Sequence, residues 1–520
     1  MSQQKEKVVI IGAGPGGLAI SMLLANAGLD VTVLEKRDRV GGRTGQIKQD
    51  GYTFDIGPTF FLYPPVLERI FSQCGFSLWD EVPMKQLDPL YRIEFENRGH
   101  LDARSDVGVM SEEIARLSPN DALNLERYMA ENRKKLEHFR PVLESPFEGI
   151  ADYLRPDVLK SALMLRPQLS LDSDLERYFQ DDRVRQAFSF QSKYLGMSPF
   201  NCPSLFTILA FLEYEYGVYH PIGGCGAVMQ RMAELAESMG VEIKLSEGVD
   251  ELEFEGKKAS AAVTSKGRYP CSRLIINADF AETMKQLVPN KLRKRWTDKK
   301  LEKKKFSCST YMLYLGLDGT YDDLPHHTIF LSEDLRKNVH EIQHLKTIPE
   351  HPSFYVQNAC VNDPSLAPDG KSTLYVLMPV GNLDGPVDWH QEQVGLREFA
   401  LDQLEKVGVA NVRDRIELEH SLTPQDWSKD LSVFKGATFN LAHTLTQMLS
   451  FRPRNRFEDL QGVYLVGGGT HPGSGLPVIF ESANISAKLI ADDIGISLSP
   501  APGSKDARFM SDLQMERAPT

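Results

Sequence analysis

Val8-Val9-Ile10-Ile11-Gly12-Ala13-Gly14-Pro15-Gly16-Gly17-Leu18 opens an apolar run that continues to Ala25 and is preceded by Lys5 and Lys7. A hydropathy window alone would take it for a membrane anchor or a leader peptide. The glycines and the proline point elsewhere, because they weaken a continuous apolar helix and suit a strand, a tight turn and then a helix. Val8 to Ile11 has the unbroken apolar character of a buried strand, and Leu18 to Ala27 is a helical pattern closed by Gly28. No later stretch approaches the length of a membrane span, the nearest being Leu205 to Leu212. The reading is a soluble or peripheral protein with neither spanning helix nor cleaved leader.

Gly12-x-Gly14-x-x-Gly17 is weak as a bare spacing in a chain with 39 glycines. Its context makes it a dinucleotide fingerprint. The glycines follow a strand and open a helix, a second strand runs from Asp30 to Leu34, and Glu35 stands 18 residues beyond Gly17, where a carboxylate can accept from a ribose hydroxyl. Glycine lets backbone N–H groups approach a pyrophosphate at the positive end of the helix.

After Glu35 comes Lys36-Arg37-Asp38-Arg39-Val40-Gly41-Gly42-Arg43-Thr44. A second glycine pair and an arginine in that place suit a longer cofactor than NAD, with Arg43 reaching a phosphate as a forked donor. This E-x(5)-G-G-R pattern resembles the flavoprotein superfamily that includes amine oxidases, protoporphyrinogen oxidase and carotenoid desaturases, which implies FAD.

Three further segments narrow the resemblance: Phe54-Asp55-Ile56-Gly57-Pro58-Thr59, Gly217-Val218-Tyr219-His220-Pro221-Ile222-Gly223-Gly224, and Val466-Gly467-Gly468-Gly469-Thr470-His471-Pro472-Gly473-Ser474-Gly475-Leu476-Pro477. Together they resemble the bacterial and fungal phytoene desaturase family, with its diapophytoene desaturases and its carotenoid oxidase, carotenoid isomerase and retinol saturase relatives. The resemblance runs from about residue 6 to 495. The last segment reads physically as a second strand, glycine loop and helix N-terminus, able to hold a ribityl chain and set a positive dipole near a flavin ring. The wider superfamily has Asp or Glu where this chain has Gly468, so the ribityl contact falls to backbone N–H groups. The loop lacks the cysteine that carries covalent flavin in some amine oxidases, so FAD is expected to be non-covalent. The expected cofactor contacts are Gly12, Gly14, Pro15, Gly16, Gly17, Glu35, Lys36, Gly42, Arg43, Pro58, Thr59, Val249, Gly467, Gly468, Thr470, Pro477 and Val478.

Composition bounds the partners. With 59 Lys plus Arg against 71 Asp plus Glu, the 520-residue chain carries a net charge of -12, which disfavours nucleic acid. Its six cysteines form no C-x-x-C pair, which indicates neither a zinc ribbon nor a disulfide framework and fits a reducing, cytoplasmic setting. One basic stretch stands out: Lys291 to Lys305 holds nine basic residues, two acidic ones and Trp296. It is either a solvated helix face or a contact with an anionic membrane, with Trp296 at interface level. His340-Glu341-Ile342-Gln343-His344 spells H-E-x-x-H, which on a helix would present two imidazoles and a glutamate to zinc. Pro349 follows closely, and the match is read as incidental, so no metal is expected.

The fold class expected is α/β: a Rossmann-like FAD-binding domain assembled from discontinuous segments, an α+β substrate domain and a helical membrane-facing region. The segments are 1–99, 217–290 and 455–497 for FAD, 100–216 for the helical region, 291–454 for the substrate domain and 498–520 as a disordered tail. Leu159 to Leu165 and Leu205 to Leu212 are either core or tunnel lining. The resemblance implies a C30 or C40 polyene of the phytoene or diapophytoene type as substrate. It further implies that a hydride passes to FAD, and the expected partners are quinone or oxygen as electron acceptor and a membrane surface. A carotenoid isomerase or oxidase is the alternative, with an amine or protoporphyrinogen oxidase behind it. Loss of a proton beside an allylic cation needs only a weak base, and Glu213, Glu215, His443 and His471 are its candidates.

Overall fold

The computed structural model describes residues 6–499, so the expected tail lies outside the described residues from 500 onward. The opening apolar run divides as its glycines predict, into strand β1 (Lys7–Ile11) and helix α1 (Pro15–Asn26). With β2 (Asp30–Leu34) these start a parallel sheet of five strands, in the order Glu242–Lys244, β2, β1, Arg273–Ile276 and Val463–Leu465. Its strands come from residues far apart in sequence. β1 is apolar throughout because the sheet is covered on both faces: Val8 and Ile10 enter one core with α1, whereas Val9 and Ile11 enter another with Leu274, Phe280 and Trp296.

A second sheet of seven strands runs in the order Ile416–Leu422, Ser309–Asp318, Lys371–Val380, Phe354–Gln357, His327–Leu331, Tyr91–Phe95 and Gly99–Ala103. It is antiparallel except where His327–Leu331 meets Tyr91–Phe95. The boundary expected at residue 99 therefore falls inside a hairpin that completes this sheet. Beyond that hairpin the region is helical, with Val107–Leu117, Leu125–Leu143, Pro156–Leu165 and Ile208–Tyr216 sharing one core.

The basic stretch corrects two expectations. It is a short 3-10 turn (Asn290–Leu292) and a five-residue helix (Asp298–Glu302), too short for a continuous basic helix face. Trp296 is fully buried, its ring edge-on to Phe280 and its Nε1 donating to Glu458 Oε1 at 2.9 Å. Burying an indole yields more than leaving it at a water interface once a partner exists for its N–H. Trp296 and Leu301 thus join the core under the parallel sheet rather than the substrate side to which 291–454 had been given.

Candidate functional site

The carboxyl ends of the parallel strands open on a cavity of about 550 Å³, the place where open α/β sheets bind ligands. Two helix N-termini face it. Gly14 and Pro15 begin α1, and Gly475 to Val478 begin the helix Leu476–Ile494. Each offers unpaired backbone N–H groups and a partial positive charge.

The fingerprint glycines divide by role. A Cβ on Gly17 would lie 2.2 Å from Gly12 O and one on Gly16 would lie 2.5 Å from Val466 Cγ1, so both are packing glycines, and neither lines the cavity. Gly14 and Gly42 line it and face each other, a Cβ on Gly42 meeting only Gly14 Cα at 3.6 Å. They leave a cradle that side chains would fill. Glu35 stands at its edge, one carboxylate oxygen accepting from Ala13 N at 2.8 Å and the other from Arg37 N at 2.9 Å. Lys36 and Val249 line the same end, with Lys36 bonded to Ser432.

Arg43 lines the cavity but is held by protein acceptors. Its guanidinium donates to Thr438 O at 2.7 Å. With the Asn440 amide oriented to satisfy both its ends, the Asn440 oxygen accepts from Arg43 at 3.1 and 3.2 Å while its nitrogen donates to Asp279 Oδ2 at 2.8 Å. Burial works against the charge on both Arg43 and Asp279. Asn277, unnoticed in the sequence, donates to Gly12 O at 3.0 Å and closes the first glycine turn. Its only sequence signal is its place at the end of an apolar strand.

The terminal loop is clamped by Arg452, which is fully buried and donates to the carbonyls of Leu441, Gly468 and Thr470. Gly467, Gly468, Pro477 and Val478 line the cavity. Thr470 does not: its hydroxyl is spent on Pro453 O, so its expected contact is corrected to a loop-shaping one. Pro58 and Thr59 line the opposite wall, on a loop held by Tyr314 and Tyr375, whose hydroxyls donate to the carbonyls of Ile56 and Gly57. Asp55 does scaffold work, accepting from Cys225 N and Gly226 N at the start of the helix Cys225–Ser238.

The expected bases separate. Glu213 is fully buried and outside the cavity wall, accepting from Tyr91 Oη at 2.8 Å and Gln191 Nε2 at 2.9 Å, and burial pushes its carboxyl up to about 7. Glu215, largely covered, forms a two-pronged pair with the exposed Arg133 at 2.8 and 2.7 Å, away from the cavity wall. Neither reaches a substrate, because residues on successive helical turns of Ile208–Tyr216 that face the cavity are Leu209 and Leu212. His443 and His471 do line it. His443 Nε2 accepts from Ser474 N at 3.0 Å, and burial holds both imidazoles below their usual range, His471 at about 4. Lys193, which sequence reading passed over, lines the cavity with no hydrogen-bond acceptor or ion-pair partner among the described residues, and burial pushes its amine down to about 8. His340 and His344 stack at 4.9 Å where the helix Leu335–His340 passes into a π turn, and no third ligand of metal-binding type joins them among the described residues.

A cofactor-sized crevice on a parallel sheet, with two glycine cradles and a second sheet across it, defines an α/β nucleotide-cofactor oxidoreductase. Residues 15–494 match the family described as flavin containing amine oxidoreductase. The chain belongs to that family, which implies a flavin cofactor. It is similar to a 4,4'-diapophytoene desaturase (4,4'-diapolycopene-forming) of Methylomonas sp, 43% identical over 93% of this chain and 95% of the relative. An all-trans-zeta-carotene desaturase of Myxococcus xanthus is 38% identical over 95% of both. Among solved structures, an oxidoreductase from Methanosarcina mazei (TM-score 0.64, 18% identity, 94% of this chain and 100% of that one) and a putative protoporphyrinogen oxidase from Exiguobacterium (TM-score 0.53, 15% identity, 95% and 100%) share the fold.

Proposed function

We propose that this protein is an FAD-dependent carotenoid desaturase that introduces double bonds into a C30 or C40 polyene, with diapophytoene the first substrate to test. The carrying observation is continuity: the cavity that begins at the glycine cradle extends between apolar side chains of the helical region. Leu205, Leu209 and Leu212, one face of the segment left open between core and tunnel, line it, while Ile208 and Phe211 between them are buried in the core. Such a wall suits a hydrocarbon chain. Lys193 disfavours an amine substrate, since two ammonium groups in one low-dielectric cavity repel.

Gly14, Gly42, Glu35 and the terminal loop would hold FAD, which when bound supplies hydride acceptance. No cysteine lines the cavity among the described residues, in keeping with non-covalent attachment. Acid precipitation should leave all flavin in the supernatant; flavin retained on the chain would overturn that attachment.

A polyene lives in the bilayer, and no helix among the described residues is long and apolar enough to cross one. Peripheral docking is the reading that remains, with quinone or oxygen as electron acceptor. Ile150, Leu154 and Leu163, at 78%, 74% and 83% exposure, are large apolar side chains left in the open on consecutive short helices. Tyr153 joins this segment to the loop of Phe451, beside the cavity-lining Met448 and Leu449. The test is anaerobic: diapophytoene in liposomes should bleach the bound flavin and yield products absorbing at longer wavelength. Absence of both with diapophytoene and phytoene alike would overturn the desaturase reading.

A further inference from the structure

Thr59 and Tyr355 line the cavity, and behind them lies a buried histidine that no expected role uses. Thr59 Oγ1 and Tyr355 Oη are 2.8 Å apart, and Tyr355 Oη and His327 Nδ1 are 2.7 Å apart. The His327 ring stacks on Phe60 with centroids 3.9 Å apart. Two more imidazoles follow, His326 at 4.4 Å from His327 and His220 at 4.7 Å from His326, and His220 Nε2 meets Asp363 Oδ2 at 3.1 Å. Asp363 also accepts from Gly223 N at 2.6 Å and from Ser365, and these donors hold its carboxyl down to about 2.

A desaturation has two parts, loss of a hydride and loss of a proton from the neighbouring carbon. The second needs an acceptor at the wall; Glu213 and Glu215 are absent from it, and the two histidines that line it already spend Nε2 on loop backbone, His443 on Ser474 N and His471 on Ser145 O. We infer that Thr59, Tyr355 and His327 form a proton relay that takes this proton from the polyene. The inference rests on the desaturase reading and adds the path the proton follows.

In the resting relay Thr59 donates to Tyr355, and Tyr355 donates to His327 Nδ1, whose ring carries its own proton on Nε2. Once a hydride has left the polyene, Thr59 Oγ1 takes the proton from the adjacent carbon as its hydroxyl proton passes to Tyr355 Oη. The tyrosine proton then passes to His327 Nδ1. The electron pair of the broken C–H bond becomes the new π bond, and the positive charge moves from polyene to imidazole. Burial holds His327 well below its usual range, so it is neutral and free to accept. A weak base suffices because a delocalised carbocation is a strong acid. The Phe60 face stacked on the His327 ring offsets the transient charge.

The test uses the flavin-loaded protein with diapophytoene in liposomes. Tyr355→Phe and His327→Gln should lower turnover on the order of 100-fold, the usual scale for a lost general base, with flavin stoichiometry unchanged. Thr59→Val should behave likewise, and Thr59→Ser should restore turnover to within about threefold of wild type, since it keeps the hydroxyl. With substrate deuterated at the proton-losing carbon, the isotope effect should rise in Tyr355→Phe, because proton loss has become limiting. Wild-type turnover in Tyr355→Phe with no change in isotope effect would overturn the relay and leave the desaturase reading standing. Flavin loss in step with activity, with Thr59→Ser as poor as Thr59→Val, would also overturn it. A wild-type protein that desaturates neither polyene would overturn the desaturase reading and the relay together.

Discussion

Single residues show how far a motif can be read before its geometry is known. Gly14→Val adds a side chain into the cavity, with Asn277 Nδ2 at 3.2 Å from the Cβ and an ordinary backbone conformation at φ -77. The expected result is a folded protein, within about 1 kcal/mol of wild type, that has lost its flavin absorbance. Gly17→Val drives a Cβ to 2.2 Å from Gly12 O and should fail to fold, as low soluble yield and a collapsed melting transition would show. Equal flavin content in Gly14→Val and wild type would refute the cradle. Glu213 supplies a pH dependence. Its folded-state value near 7 lies above the usual carboxyl range, so the folded protein binds the extra proton. Stability is therefore full below about pH 4.5, declines as pH rises to about 7 and is level beyond, a loss of about 3 kcal/mol at most. Glu213→Gln should remove that decline, which urea unfolding at pH 5 and pH 8 checks; the same pH dependence in both proteins would contradict it. Sequence alone marked Glu213 by its nearness to a motif, but whether a carboxylate faces the cavity depends on helix phase, and Leu209 and Leu212 take the inner face.

At the scale of elements, two readings of charge and spacing met different outcomes. His340 and His344 have the spacing of a zinc helix, yet the helix passes into a π turn at Glu341, and both imidazoles are exposed. His340→Ala/His344→Ala should leave flavin content and turnover unchanged and shift stability by no more than about 0.5 kcal/mol. Metal analysis before and after the change checks the same point, and stoichiometric zinc that disappears with activity would reverse it. In Lys291 to Lys305, the residues between the charges decide. Trp296 and Leu301 anchor the segment to the core, and Arg293 is buried, donating to Trp296 O and Asp298. Composition revealed the charge; only packing showed that part of it is structural. Strand β1 and helix α1 were legible because glycine placement and apolar continuity are local signals. The hairpin Tyr91 to Ala103 was misassigned because its partner strand, His327–Leu331, lies more than two hundred residues away.

Across the whole molecule, the exposed side chains of Ile150, Leu154 and Leu163 and of Lys299, Lys300 and Lys303 give docking a testable form. Arg295 donates to Ser450 O at 2.6 Å, which ties the basic segment to the loop beside the cavity. Leu154→Ser with Leu163→Ser should weaken liposome binding by about 2 kcal/mol for each leucine that inserts, and Gln at the three lysines by about 1 kcal/mol for each that touches anionic lipid. Both variants should keep their flavin. Co-sedimentation indifferent to all five changes would assign these residues to ordinary surface. The sequence by itself determined the two glycine cradles, the acidic residue after the second strand and the family resemblance, since each is carried by residues adjacent in the chain. Tertiary structure decided which glycines line the cavity, which carboxylates are excluded from it, and that Thr59, Tyr355 and His327 stand in one hydrogen-bonded line. His327 and Tyr355 lie on neighbouring strands of one sheet, but Thr59 lies on a loop almost three hundred residues before Tyr355, and that contact exists only once the loop has packed against the second sheet.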